Sequence, residues 1–301
     1  MLTNAYVDRL ETSTSGREVR KIHMQRNGAR EEYSADIVVV ACGAINSAAL
    51  LLRSANDRHP RGLANGSDIV GRNYMRHNCS AFMALSLEPN PTVFQKTLAL
   101  NDFYFRSDDW NFPLGEIQLL GKTDGEIIKG ELSGWERLTP VMALDQIARH
   151  SIDFWLQSED LPRPDNRVTL SSNGTISLHL QDTNVEGHER LVAKLKGMLG
   201  AIGCHGYLLP RSLYLNDKIP LGGTAHQNGT IRFGRDPKTS ALDINCKAHE
   251  LDNLYVVDGS FFVSCGSVNP ALTIMANALR VGDHLLGRLA GMTSQTVPTS
   301  H

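Results

Sequence analysis

The chain has 301 residues, 41% of them hydrophobic and 21% charged, with a formal net charge of −2. This is ordinary globular composition; it argues against extended disorder, and the length accommodates two domains or one large one. With the basic residues scattered and the charge near zero, there is no electrostatic basis for binding nucleic acid or an anionic membrane surface.

In chain order, the first forty residues pattern as three strands, at residues 5–12, 18–25 and 33–41, separated by polar, Gly-containing turns at 14–17 and 27–30. In the third, Ile37-Val38-Val39-Val40 is continuously apolar, as expected of a strand covered on both faces. Small residues at Ala41-Cys42-Gly43-Ala44 then turn the chain into a helix over residues 47–55. The longest apolar stretch, 37–52, is interrupted by Gly43, Asn46 and Ser47, which fits a strand running into a helix better than a membrane span. The first residues hold no basic region followed by an apolar core, so no secretory signal is expected and the default location is cytoplasmic.

Residues 79–215 read differently. Alternation at 80–87, 167–171 and 175–180 predicts antiparallel strands, with Asn173-Gly174 as a hairpin turn. Helical periodicity appears at 140–150 and 188–201. The aromatic residues Phe103, Phe105, Trp110, Phe112, Trp135, Phe154 and Trp155 suit either a packed sheet face or the lining of a substrate pocket. From Pro220 the chain returns to loop, then a buried strand at 254–257 ended by Asp258-Gly259, then a closing helix at 271–289. Asn269 is suited to cap that helix and Pro270 to its first position. The polar tail, 291–301, is expected to fray. Five cysteines without a C-x-x-C pair predict reduced, mostly buried thiols and no structural metal site.

Two blocks carry the chemistry: GGTAHQNGTIRFG at 222–234, which puts His226 among small residues, and DNLYVVDGSFFVSCGSVNPALTIMANALRVGDHLL at 252–286. Together, with Asn269 43 positions after His226, they resemble the C-terminal signature of the glucose–methanol–choline (GMC) oxidoreductases, flavoenzymes that oxidise alcohols. The likeness extends to ADIVVVACGAINSAALLLRSA at 35–55, IVGRNYMRHN at 69–78 and, more thinly, PDNRVTLS at 164–171. One departure is Phe233, where the family usually has methionine; a packing change is expected there.

The resemblance implies a mixed α+β and α/β fold. It consists of an incomplete FAD-binding, Rossmann-like domain (residues 1–78 and 216–290) with an inserted substrate domain of antiparallel sheet plus helices (79–215), and a tail from 291. It also implies FAD as cofactor and an alcohol or sugar as substrate. His226 would take the hydroxyl proton as hydride passes to the flavin, and Asn269 would hold the alcohol oxygen. On the residues alone, His226 reads first as a loop histidine bonded to backbone, and Asn269 as a helix cap. Asp258, Gly259, Asn269 and Pro270 would meet the flavin, Val7 the adenine end, and Gly43 and Ala44 the nucleotide. No G-x-G-x-x-G is present, so the chain is expected to be the C-terminal half of such an enzyme, with a complementary N-terminal half as partner. A non-catalytic module that acts through a partner is the alternative. A hydrolase built on Ser260, His226 and Asp258 lacks a G-x-S-x-G elbow.

Overall fold

The computed structural model describes residues 1–132, 134–204, 217–218 and 221–295. Its strands and helices are β1 (Ala5–Thr12), β2 (Val19–Arg26), β3 (Ala29–Tyr33), β4 (Val38–Val40), α1 (Ala44–Arg53), β5 (Asn78–Leu85), β6 (Ala99–Leu100) and β7 (Glu116–Leu119). There follow α2 (Gly125–Glu131), α3 (Val141–His150), β8 (Ser151–Ser158), β9 (Arg167–Leu170), β10 (Ile176–His179), α4 (Val185–Ala201), β11 (Asp217–Lys218), β12 (Leu254–Val256) and α5 (Ala271–Gln295). The fold is mixed α/β with several sheets.

The predicted third strand is in fact two. After the turn at Asn27 (φ 50°) and Gly28 (φ 83°), β3 completes the antiparallel sheet β1-β2-β3. The chain then leaves that sheet, and β4 pairs in parallel with β12, Val38 opposite Leu254 and Val40 opposite Val256. Helix α1 starts at Ala44, three residues earlier than predicted, with Gly43 (φ 83°) at its N-cap. Its Ala44, Ser47, Ala48 and Leu51 recur at helical spacing and are all buried. At its end, the Ser54 hydroxyl donates to Leu50 O and accepts from Leu10 N, tying the helix to β1.

Around α1 lies the first core, with Leu10, Val19, Val40, Leu51, Ile231, Tyr255, Phe261 and Val281. Val168 of β9 belongs to it too, and Leu170, Ile176 and Leu178 pack against it, although these residues fall within the 79–215 insert. The stitching is through backbone: Val168 N donates to Gly71 O, and Gly71 N to Thr230 O.

A second region is the five-stranded sheet β11-β5-β8-β7-β6. Its two-residue alternation sends Phe82, Ala84, Ile117, Phe154 and Leu156 to one face, under Leu191, Val192, Leu195 and Leu199 of α4. Met83 points the other way, into a cluster with Ile128 of α2 and Leu144 and Ala148 of α3. Among the aromatics, Phe103, Trp110 and Phe154 join the α4-side core, whereas Phe105 and Phe112 are exposed. The side chain of Trp135 lies outside the described residues.

Helix α5 runs to Gln295, through part of the tail predicted to fray; residues beyond it are not described. Ile274, Val281 and Leu285 pack on the first core, while Leu272, Met275, Leu279 and Leu286 are exposed. No described helix is long and apolar enough to cross a membrane.

Candidate active site

The residues around Asp258 form a tight knot. Its Oδ2 accepts from Gly43 N at 2.9 Å and from the Ser47 hydroxyl; its Oδ1 accepts from Ser260 N at 2.8 Å and from the Ser260 hydroxyl. The carboxylate is thus spent on joining the start of α1 to the turn after β12. Ala44 is drawn in by the Thr230 hydroxyl, which donates to its carbonyl at 2.6 Å. Gly43 has φ 83° and open space where a Cβ would stand. At Gly259 the opposite holds: a Cβ would lie 2.8 Å from Gln227 O, so only glycine lets the 226 loop pass this close. The same built Cβ would touch Ile274 in the first turn of α5. Gly259 is therefore where the 226 loop, the Asp258 turn and the start of α5 meet.

Asn269 does not cap α5. The helix begins at Ala271, and Ile274 N donates to Pro270 O. The Asn269 side-chain oxygen accepts instead from Gln157 Nε2 at 3.0 Å and from Gln118 Nε2 at 3.1 Å. Gln157 also places its Oε1 3.1 Å from Nδ1 of His226. One buried amide thus bridges the two residues expected to do chemistry. Gln118 further donates to Glu116 Oε2 at 2.8 Å.

All three bridging residues lie on one face of the second sheet. In β7, Ile117 and Leu119 face α4, so Glu116 and Gln118 face the other way; in β8, Phe154 and Leu156 face α4, so Trp155 and Gln157 do not. Glu116 and Gln157 are direct cross-strand partners. Neither strand is among those the sequence pattern predicts, so these positions are not among the expected site residues. The signal was the alternation in EIQL and DFWLQS, which puts polar residues on a common face.

His226 is half-buried, and that burial, followed by the nearby Lys96 cation, lowers its pKa. His77 meets it edge-on, the ring centroids 4.9 Å apart. Burial first, then the neighbouring His226, lowers the pKa of His77 to about 4, against the hydrogen bond His77 makes to the Gly266 carbonyl, which raises it. His77 Nδ1 lies 3.1 Å from that carbonyl and 3.0 Å from Cys265 Sγ; its buried Nε2 has no partner among the described residues. His249 is held by Ser240 at 3.0 Å. Phe233 meets Phe261 edge-on at 5.5 Å, which gives its ring a packing partner.

Of the expected site residues, the structure brings together Gly43, Ala44, Asp258 and Gly259 around one turn, and His226 with Asn269 through Gln157; Pro270 stands at the start of α5, whose Ile274 reaches Gly259. Val7 stands apart on β1, packed against the first core. Ser260 bonds Asp258 while His226 bonds Gln157, so no Ser–His pair forms among them.

Family models described as GMC oxidoreductase match residues 1–79 and 215–278. A 2-methyl-1,2-propanediol dehydrogenase from Mycolicibacterium austroafricanum is 29% identical over 99% of this chain and 56% of its own length. A paromamine 6'-oxidase from Streptomyces fradiae is 31% identical over 83% of this chain and 45% of its own. Among solved structures, pyridoxine 4-oxidase from Mesorbium loti superposes with a TM-score of 0.64 at 19% identity, covering 93% of this chain and 57% of that one. The chain spans about half the length of the curated relatives it matches.

Proposed function

The chain belongs to the GMC oxidoreductase family, and from that premise we propose that it carries the substrate side and the proton-transfer residues of an FAD-dependent oxidoreductase acting on CH–OH groups of alcohols or sugars. The observation that carries the reading is the Gln157 amide, which joins His226 to Asn269 across the sheet-to-helix boundary.

The chain's own residues suit these tasks. The lowered pKa keeps His226 neutral at neutral pH, able to accept the hydroxyl proton of an alcohol. With the Asn269 oxygen occupied by two glutamine amides, its Nδ2 donors are left for the alcohol oxygen. Such a second hydrogen-bond partner stabilises negative charge as it develops on that oxygen. The chain also fits the cofactor. Gly43 opens onto free space, and the start of α5 offers a partial positive charge. Gly43, Ala44, Asp258, Gly259, Asn269 and Pro270 would hold FAD, with Val7 toward its adenine end. FAD when bound supplies the hydride acceptor, a role no side chain can fill.

The division into a cofactor domain (1–78 and 216–290) and a substrate domain (79–215) is part of this proposal, as is a complementary N-terminal half that completes the cofactor domain. The exposed Leu272, Met275 and Leu279 of α5 and the exposed Val39 of β4 support such a partner. They equally favour a second reading, a partner-dependent module with no catalysis of its own.

The test is to produce the chain with the N-terminal half of a GMC oxidoreductase, load FAD, and follow flavin reduction by 2-methyl-1,2-propanediol and paromamine. His226→Ala is expected to slow reduction by about 10²–10⁴-fold. Reduction within a few-fold of the parent would remove His226 as the base. Failure to retain flavin in any combination would leave the module reading.

A further inference from the structure

We infer that Glu116 and Gln118, acting through Asn269 and Gln157, are positioning residues that hold His226 as the Nδ1–H tautomer and leave Nε2 as the basic nitrogen of the ring. The inference deepens the reading of His226 as the base and rests on it for its functional meaning.

Four hydrogen bonds of fixed direction link Glu116 to His226. A carboxylate only accepts, so the amide of Gln118 must turn its nitrogen toward Glu116, 2.8 Å away. That NH₂ group also reaches Asn269 at 3.1 Å, which requires the Asn269 oxygen to point back at it. Gln157 donates its own NH₂ to the same oxygen at 3.0 Å. Its carbonyl is then turned the other way, 3.1 Å from His226 Nδ1. An amide oxygen has no proton to give, so the proton in that contact belongs to Nδ1 and the lone pair to Nε2.

Reversing any one amide would set two donors or two acceptors against each other. Gln157 is fully buried and Glu116 nearly so, and a mismatched group there has little access to compensating water. Glu116 is the only member of the chain that cannot be flipped, which makes it the anchor. The sheet supplies the spacing: Glu116 sits opposite Gln157, with Gln118 two residues further on the same face.

The measurement is made on the full chain labelled with ¹⁵N-histidine, without FAD or substrate. Long-range ¹H–¹⁵N correlations above the titration range of His226 separate protonated from unprotonated ring nitrogens. Signals are assigned by their loss in His226→Gln. A protonated Nδ1 and an unprotonated Nε2 are expected in the parent chain; a dominant Nε2–H tautomer would overturn the inference whatever any variant does. In the near-isosteric Glu116→Gln, the anchor can flip, and the two ring nitrogen shifts should move toward each other as the minor tautomer rises about fivefold. Unchanged shifts in a folded Glu116→Gln would remove Glu116 as the anchor. Since the tautomer is read without turnover, its failure is separate from that of the base: active His226→Ala enzyme with the expected tautomer sinks the base alone.

Discussion

The two sheets that flank the site are finished to different degrees. The β5-β8-β7 sheet is covered on both faces within the chain: Phe82, Ala84 and Leu156 pack under α4, and Met83 packs against α2 and α3. Among the described residues, the β4-β12 pair is two strands wide. Parallel strands are ordinarily buried on both faces, yet Val39 in the middle of β4 is 46% exposed, and α5 carries the exposed Leu272, Leu279 and Leu286. The difference separates two tasks. Of the groups that orient His226, Glu116, Gln118 and Gln157 hang from the closed sheet, while Asn269 reaches them from the segment before α5. The surface expected to hold the cofactor belongs to the open region, which has apolar faces left to cover.

The largest effect expected from this contrast is in the closed sheet. Leu156 is fully buried between β8 and α4, and Leu156→Ala removes its packing and leaves a cavity. A loss of about 2–5 kcal/mol is expected from chemical denaturation of the chain alone. A loss below about 1 kcal/mol would mean that the sheet is loosely packed and that the contrast fails.

A second test lies at the seam, where His77 of IVGRNYMRHN touches His226. The folded pKa of His77 is about 4, against 6.5 in an unfolded chain. Above the unfolded value both states are neutral, and no stability is lost. As pH falls from about 6.5 to about 4, the unfolded chain binds the proton first, and stability declines by about 3 kcal/mol. Buried Asp153 and Asp160 have raised pKa values and act in the opposite sense, so the informative quantity is a difference. Urea midpoints at pH 7 and pH 4.5 should separate in the parent chain more than in His77→Phe. Equal separations would mean that His77 is not held neutral by burial.

Much of this architecture is legible in the sequence where the physics is local. The run Val38-Val39-Val40, the hairpin at Asn173-Gly174 and the periodicity of α4 need only neighbours to be read. His226 is singled out by the resemblance of its block, GGTAHQNGTIRFG, to the family, since the residues alone read it as a loop histidine. What stayed hidden depends on distant partners. Asn269 looked like a helix cap because Asn-Pro before an apolar run suits one, but its oxygen is taken by Gln118 and Gln157, 151 and 112 residues away in sequence. Those glutamines sit at polar positions of alternating strands, which read as solvent-facing when the covering element is unknown. Asp258 hid its role similarly: the partner Gly43 is 215 residues away.

The smallest effect on the chain itself is expected on α5. Leu279 is 73% exposed and faces away from Val281 and the first core. Replacing it by Gln should change the stability of the isolated chain by less than about 0.5 kcal/mol, since no buried contact is lost. If the face is covered by a complementary half, however, the same change introduces a polar amide into an apolar contact. Co-production should then yield less flavin-retaining complex from Leu279→Gln than from the parent, while the two isolated chains melt alike. A large loss in the isolated chain would show that Leu279 is already packed, and equal yields of complex would place the partner's contact elsewhere. A substitution silent alone and costly in complex is what distinguishes an interface from an ordinary exposed leucine.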